Sequence, residues 1–476
     1  MAAVLALAAL AACGRPARNV LLITVDTLRA DRLSCYGYAH NQTPSIDALA
    51  ARGVAFDRAF CDVTWTTPSM ASVFTGRYVV HHGLRMSSQR LEETQTLAKT
   101  LRGWGYTTAA VIGSFPVDSS FGLSQGFDLY DEAFNTSVVK DEDPARLSGE
   151  LPPEANEIAQ RNWLMLRRMA RAYRPDDQVA ARAIRWLTAE RREPFFLWVH
   201  FFGPHEKMYV HLSFKQHLER NLAEYDRDVS IVDAQVGALL RGLDDNGLAS
   251  RTLVILHADH GQELFEHRYV GHGRDLYDAT LHIPLIIADP SSGARGTHVG
   301  SFARNIDLFP TVMDLLDLPS PADVDGHSVA LAVRHPWLAR LRGMKQGETY
   351  AETHLSATSI FRERMLLDGR EYSFGFVRRG VRSTDWKYVE SEPVPLVDDP
   401  AQAPLPSALV ERKRRRELYD LRRDPTEMRD VSAANPEVVT MLREKLAGYT
   451  RAVHNAPAAP LDEASAERLR ALGYVE

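Results

Sequence analysis

The chain has 476 residues, 45% hydrophobic and 25% charged, which excludes a disordered chain, a coiled coil and a collagen-like repeat and leaves ample material for a large core. Acidic residues (62) outnumber basic ones (56), so the formal charge is −6 and the basic excess of a nucleic-acid binder is missing. Three cysteines exclude a disulfide scaffold and any multi-cysteine zinc module.

In chain order, residues 2–12 are Ala, Val and Leu only, too short a run for a bilayer core of about 30 Å, which takes roughly 20 residues. The run ends Leu10-Ala11-Ala12-Cys13-Gly14, which resembles a bacterial lipoprotein signal with Cys13 as the lipidated residue. No Lys or Arg precedes it, so an ordinary cleaved signal or an Ala-rich first helix are the alternatives. Residues 1–18 are read as signal and linker, and the protein as exported and held at a membrane through Cys13, periplasmic or at the cell surface. Cys35 and Cys61 are expected as buried free thiols.

Asn19 to Asp26 is a continuous apolar run ending in an acid, the pattern of a strand buried on both faces of a parallel sheet. Thr252 to Gly261, Pro194 to His200 and Ile283 to Ala288 repeat it. Helical segments alternate with these runs: Pro44 to Arg52, Thr96 to Trp104, Asp177 to Arg191 and Tyr225 to Asn246. The expected fold is therefore α/β, a large, mainly parallel sheet with helices on both faces, spanning residues 19–335. Residues 131–175 break the alternation and read as a charged insertion, helical over Ala155 to Arg171. Residues 336–450 read as a small C-terminal antiparallel α+β subdomain. Its strands are Thr349 to Thr353, Arg378 to Thr384, Trp386 to Val389 and Glu417 to Leu421, and its helix runs from Asn435 to Tyr449. Residues 391–406 are expected as an exposed loop, residues 412–416 as a solvated basic face, and residues 451–476 as a tail.

Ligands of open α/β sheets bind at the carboxyl ends of strands. Asp26 and the pair Asp259-His260 stand at two such ends. A lone strand-end acid is commonly a cap, but an adjacent Asp-His pair joined to a second strand-end acid points to one divalent metal. Thr64 to Gly76 supplies a third piece. Pro68 suits a first helical position, Thr66 or Thr67 the cap, and Gly76 the stop. The bland reading is capping alone. The chemical reading is a hydroxyl at a helix N-terminus, where a metal can ionise it for attack on phosphorus or sulfur.

Taken in order, these pieces resemble the sulfatase family of the alkaline phosphatase superfamily. The resemblance shows in Asn19 to Asp31, in Thr43 to Ala50 and in the Pro68 to Gly76 helix. It shows again in Gly271-His272-Gly273 with Leu276-Tyr277, in Asn305 to Thr311, and in Glu417 to Leu421 with Asp424-Pro425. It implies an alkaline-phosphatase-like fold. It places Asp26, Asp259 and His260 on metal-ligand positions and Thr66 on the nucleophile, itself a metal contact. His205 and His272 fall on positions that contact the transferred or leaving group, with a satisfied structural histidine as the alternative for each. His200, His257 and His267 are read as structural.

The departures bear on substrate. Sulfatases carry Cys or Ser at the nucleophile, oxidised to formylglycine. Thr66 has a methyl on its β-carbon and cannot yield that aldehyde, and Cys61 lacks the Cys-x-Pro context. The family's Arg after the proline is Met70, its paired acids become Asp26-Thr27, and Val111-Ile112-Gly113-Ser114 stands where the family's Lys and His follow Gly-Tyr-x-Thr-Ala, so its sulfate-holding cations are missing. The chain is thus expected to be a metal-dependent hydrolase of a sulfate or phosphate ester. Phosphodiester or phosphotransferase chemistry through Thr66 is one alternative, and an inactive binding protein of the same fold another. Calcium follows from the resemblance, and manganese or zinc from the imidazole ligand. The expected partners are a small-molecule, glycan or lipid ester and the membrane, with no nucleic acid.

Overall fold

The computed structural model describes residues 18–134, 173–205, 214–344, 347–354, 363–367, 369–395 and 404–471. Cys13, the segment Ala155 to Arg171 and the rest of the insertion between 135 and 172 lie outside them.

Strand β1 (Asn19–Val25) is entirely buried, as a Val/Leu/Ile run between two neighbouring strands must be. In chain order the other strands of the main sheet are β2 (Val54–Phe60), β3 (Thr107–Ile112), β4 (Leu129–Asp131), β5 (Phe195–Phe201) and β6 (Thr252–Ala258). A short hairpin, β7 (Glu263–Leu264) with β8 (Val270–Gly271), stands apart, and β9 (His282–Ile283), β10 (Leu285–Ala288) and β11 (Thr297–Arg304) return to the main sheet. The order is β11-β2-β10-β6-β1-β5-β3-β4, with β9 on β2. β1 pairs in parallel with both β5 and β6, and β3 with β5 and β4. The large, mainly parallel sheet is as expected.

Two strand readings change. The run Ile283 to Ala288 is broken at Pro284 into β9 and β10, because proline has no N–H for the ladder, and both run antiparallel to their partners. β2 escaped the sequence reading because exposed Asp57 and half-buried Arg58 interrupt its apolar pattern. Of the helices, α1 (Pro44–Arg52) has the expected bounds. The one expected from Tyr225 begins earlier, at Phe214. Cys61 is a buried free thiol, whereas Cys35 is only partly buried.

Beyond residue 347 a second sheet forms, all antiparallel, in the order β12 (Glu348–His354), β14 (Arg370–Ser383), β15 (Trp386–Pro395), β16 (Arg415–Asp420), with β13 (Glu363–Leu367) on β14. β15 carries the chain to Pro395, so the loop expected from residue 391 is strand over its first residues. Arg412, Arg414, Arg415 and Arg416 of the basic run are exposed, and Lys413 and Arg414 pair with Glu363 and Glu392. The helix Pro436–Tyr449 buries Leu442 and Leu446 in a cluster with Tyr350, Tyr388 and Leu418, and the same cluster takes in Val63, Trp65 and Phe202 from the larger sheet's loops. Polar contacts add to this seam. Lys387 Nζ, almost wholly buried, lies 2.6 Å from both Asp278 and Glu427, and Arg382 meets Asp278 at 2.8 Å. Burial pushes the Asp278 carboxyl up, but the Arg382 and Lys387 cations outweigh it and hold it well below the usual carboxylate range.

Candidate active site

The register of β1 against β6 pairs Val25 with Ala258, so the next residues, Asp26 and Asp259, leave the sheet side by side. His260 follows. One oxygen each of Asp26 and Asp259 and one nitrogen of His260 lie within 4.8 Å of one another, and all three side chains are fully buried. The three sequence-chosen ligand positions therefore meet at one point.

Their donors are oriented for a cation. Asp259 Oδ1 accepts the N–H groups of His260 at 2.8 Å and Thr27 at 3.1 Å, while Oδ2, 3.5 Å from His260 Nε2, has no hydrogen-bond partner among the described residues. An orphaned, buried carboxylate oxygen needs a compensating charge. Burial has pushed the Asp259 carboxyl up to about 6. His260 Nδ1 lies 2.9 Å from the Gly261 carbonyl, which can only accept, so Nδ1 carries the proton and Nε2 presents a lone pair inward. Burial pulls this imidazole down to about 4, so it is neutral at physiological pH. The residues fit a divalent ion held by two carboxylates and one imidazole.

The helix α2 (Thr66–Thr75) corrects the capping reading. Trp65 is the cap residue and Thr66 the first helical residue, with Pro68 two positions in. Gly76 closes the helix in the left-handed conformation as expected. Thr66 is thereby released from capping. Its Oγ1 donates to Asp26 Oδ2 at 3.2 Å and sits 3.3 Å from His260 Nε2. Thr67 turns away and donates to the Pro116 carbonyl.

His272 and His205 join the same cluster. The Thr64 carbonyl, 3.1 Å from His272 Nδ1, fixes the proton there. His272 Nε2 is then the acceptor for the His205 Nε2–H at 3.1 Å. Burial keeps His272 well below the usual histidine range, hence neutral. His272 lies against His260 with ring centroids 4.4 Å apart, and His205 stacks on Phe202, also at 4.4 Å. Trp65 covers His272 edge-on at 5.1 Å. Gly273 lets the indole approach: a β-carbon there would stand 2.3 Å from the Trp65 ring, and φ is +78°.

Of the histidines read as structural, His257 donates to its neighbour's carbonyl and His267 is held between Glu263 and the Thr426 carbonyl. His200 is the exception, with Nε2 only 3.7 Å from Asp26 Oδ2. The departures also resolve. Met70 lies in the apolar core, and Ser114 Oγ is 3.3 Å from His200 Nε2. Thr27 holds φ at +57°, a strained value for a β-branched residue, while its N–H fixes Asp259.

A supporting network went unseen in the sequence. Ser69 on α2 donates to the Asp259 carbonyl at 2.6 Å. Asn305 donates to Ser69 and to Asp62, which also accepts from Ser72. Burial pushes the Asp62 carboxyl up to about 6. This network ties α2 to the end of β6. Ser69 and Ser72 lie in the Pro68 to Gly76 helix and Asn305 opens the Asn305-to-Thr311 motif, the two sequence signals that bear on it.

The sequence pattern of the family described as Sulfatase matches residues 18–318. The chain is 27% identical to human arylsulfatase A over 489 residues, covering 92% of this chain and 89% of that protein. It is 24% identical to an N-acetylgalactosamine-6-O-sulfatase of Bacteroides thetaiotaomicron, covering 90% and 92%. The solved phosphonate monoester hydrolase of Agrobacterium radiobacter superposes with a TM-score of 0.63 at 22% identity, covering 91% and 95%. With an extended sheet that sets an Asp/Asp/His cluster beside a buried hydroxyl, and a family match over most of its length, the chain belongs to the sulfatase family of ester hydrolases.

Proposed function

We propose that this chain hydrolyses a phosphate, phosphonate or sulfate ester by a metal-dependent reaction in which Thr66 is the nucleophile. The observation that carries the reading is Thr66 Oγ1 within 3.3 Å of Asp26 Oδ2 and His260 Nε2, in a helix whose cap is another residue. Asp26, Asp259 and His260 would hold one divalent ion, calcium by resemblance or manganese or zinc by ligand type. Bound there, such an ion supplies Lewis-acid charge that favours the ionised hydroxyl and the developing oxyanion.

The chain's own residues do the rest. Asp26 Oδ2 receives the hydrogen of the Thr66 hydroxyl. Thr66 Oγ1 forms a bond to phosphorus or sulfur as the bond to the leaving oxygen breaks. His272 and His205, hydrogen-bonded to each other, stand beside the nucleophile to contact the transferred group, and the hydrogen taken up by Asp26 passes through solvent to the leaving oxygen. Water then cleaves the Thr66 ester: its oxygen bonds to phosphorus or sulfur as the bond to Thr66 Oγ1 breaks, and its hydrogen goes to Thr66 Oγ1. A threonine cannot run the formylglycine cycle, and neutral Ser114 and Met70 replace cations. Phosphodiester or phosphonate monoester chemistry is therefore favoured over sulfate. The intact cluster argues against an inactive binding protein.

A panel of aryl sulfate, phosphate mono- and diesters and phosphonate monoesters, run with Ca2+, Mn2+ and Zn2+ in turn, tests the reading. Turnover of a phosphodiester or phosphonate above the aryl sulfate is expected. No turnover of any ester with any ion would remove it.

Export and a lipid anchor at Cys13 complete the proposal. Among the described residues no helix is long and apolar enough to cross a membrane. Several acyl chains anchor stably where one does not. The wild type is expected in the membrane fraction and Cys13→Ser in the soluble one. Equal partitioning of the two would leave only a cleaved signal.

A further inference from the structure

His200 lies on β5 in register with Thr24 on β1 and Ile112 on β3, at the centre of the sheet, and is fully buried. Packing alone would be met by an apolar side chain, as at Val199 and Phe201 beside it. Instead the imidazole is wired on both edges. The Thr24 hydroxyl has two partners, Trp198 Nε1 at 2.9 Å and His200 Nδ1 at 2.7 Å. Indole N–H can only donate, so Thr24 Oγ1 accepts from Trp198; across the ring the Asp26 carboxylate near Nε2 can only accept, which favours the proton on that edge and turns the Thr24 hydrogen to His200 Nδ1. That leaves the ring proton on Nε2. It faces Ser114 Oγ at 3.3 Å and, just beyond hydrogen-bond distance, Asp26 Oδ2 at 3.7 Å. The same Asp26 oxygen takes the Thr66 hydroxyl at 3.2 Å.

The geometry points to His200 as a positioning residue for Asp26: its tautomer-fixed Nε2–H, steadied by Ser114, holds the Oδ2 side of the carboxylate so that Asp26 meets a divalent cation together with Asp259 and His260. The inference rests on the metal reading above. Thr24, whose hydrogen then goes to Nδ1, and Trp198, which donates to Thr24, belong to it as the groups that support this tautomer. Outer partners of metal ligands act this way, by fixing orientation rather than by touching the ion.

The test is metal affinity, read by calorimetric titration of chelator-stripped full-length protein with Mn2+ and with Ca2+. His200→Gln places an amide where Nε2 stood and should bind within about threefold of wild type. His200→Asn withdraws the donor and should bind about 10- to 100-fold more weakly. Melting temperatures of the stripped variants should fall by similar amounts, which separates affinity from folding. Thr24→Val, nearly isosteric, frees the tautomer and should weaken binding by about three- to tenfold. It serves as the test if the His200 variants do not fold. His200→Asn binding like wild type, His200→Gln binding as weakly as His200→Asn, or an unchanged affinity in Thr24→Val would each overturn the assignment. A wild type that binds neither ion would overturn it together with the metal reading. Tight wild-type binding with unaffected variants would overturn the His200 role alone.

Discussion

Thr66→Ala should lower turnover by about three orders of magnitude or more while the protein still folds, because it removes the atom proposed to form the covalent bond. The helix should not suffer, since Trp65 and not Thr66 occupies its N-cap position. The lost hydroxyl leaves Asp26 Oδ2 one partner short, a cost of about 1 kcal/mol. Thr66→Ser keeps the hydroxyl and should retain measurable turnover. The check is steady-state kinetics on the best ester of the panel, with a thermal melt beside each variant. Thr66→Cys, co-expressed with a formylglycine-generating enzyme, should gain little sulfatase activity, because Met70 and Ser114 stand where cations would hold sulfate. Full activity in Thr66→Ala would reduce Thr66 to a packing residue. A large sulfatase gain in Thr66→Cys would show a sulfate pocket and reverse the preference for phosphoryl chemistry.

The second large effect belongs to Asp259. Asp259→Asn keeps an acceptor at Oδ1 for the N–H groups of Thr27 and His260, so local structure should hold. It removes the charge on the orphaned Oδ2. Metal content, by elemental analysis of the purified protein, should fall from about one ion per chain to near zero. Affinity should drop at least about a hundredfold, since a direct ligand matters more than an outer partner, and activity should go with it. Asp259→Ala would also strand two backbone donors, at about 1–3 kcal/mol each, and is the less clean variant. Full metal occupancy in Asp259→Asn would place the ion elsewhere.

Much of the architecture could be read from the chain. Continuous apolar runs ending in acids signalled β1 and β6, because strands covered on both faces by helices cannot alternate. The Thr64 to Gly76 segment announced its helix through Pro68 and Gly76. The order of these pieces pointed to the family before any contact was known. Strands with an exposed middle, such as β2, were invisible, since Asp57 and Arg58 break the pattern that identifies a core strand.

The site divides along the same line. Residue types and strand ends singled out Asp26, Asp259 and His260, because carboxylates and imidazoles at sheet termini are the groups that bind cations; the helix N-terminus offered Thr66 or Thr67, and the family resemblance chose Thr66 and added His205 and His272. Tertiary structure alone decided that Val25 pairs with Ala258, which brings two acids distant in sequence side by side. It decided that Trp65 and not Thr66 caps the helix. It also decided that His200, read as structural, stands beside Asp26. Local sequence sets propensity and periodicity, but register, tautomer and side-chain direction follow from partners far along the chain, and those are fixed only when the sheet closes.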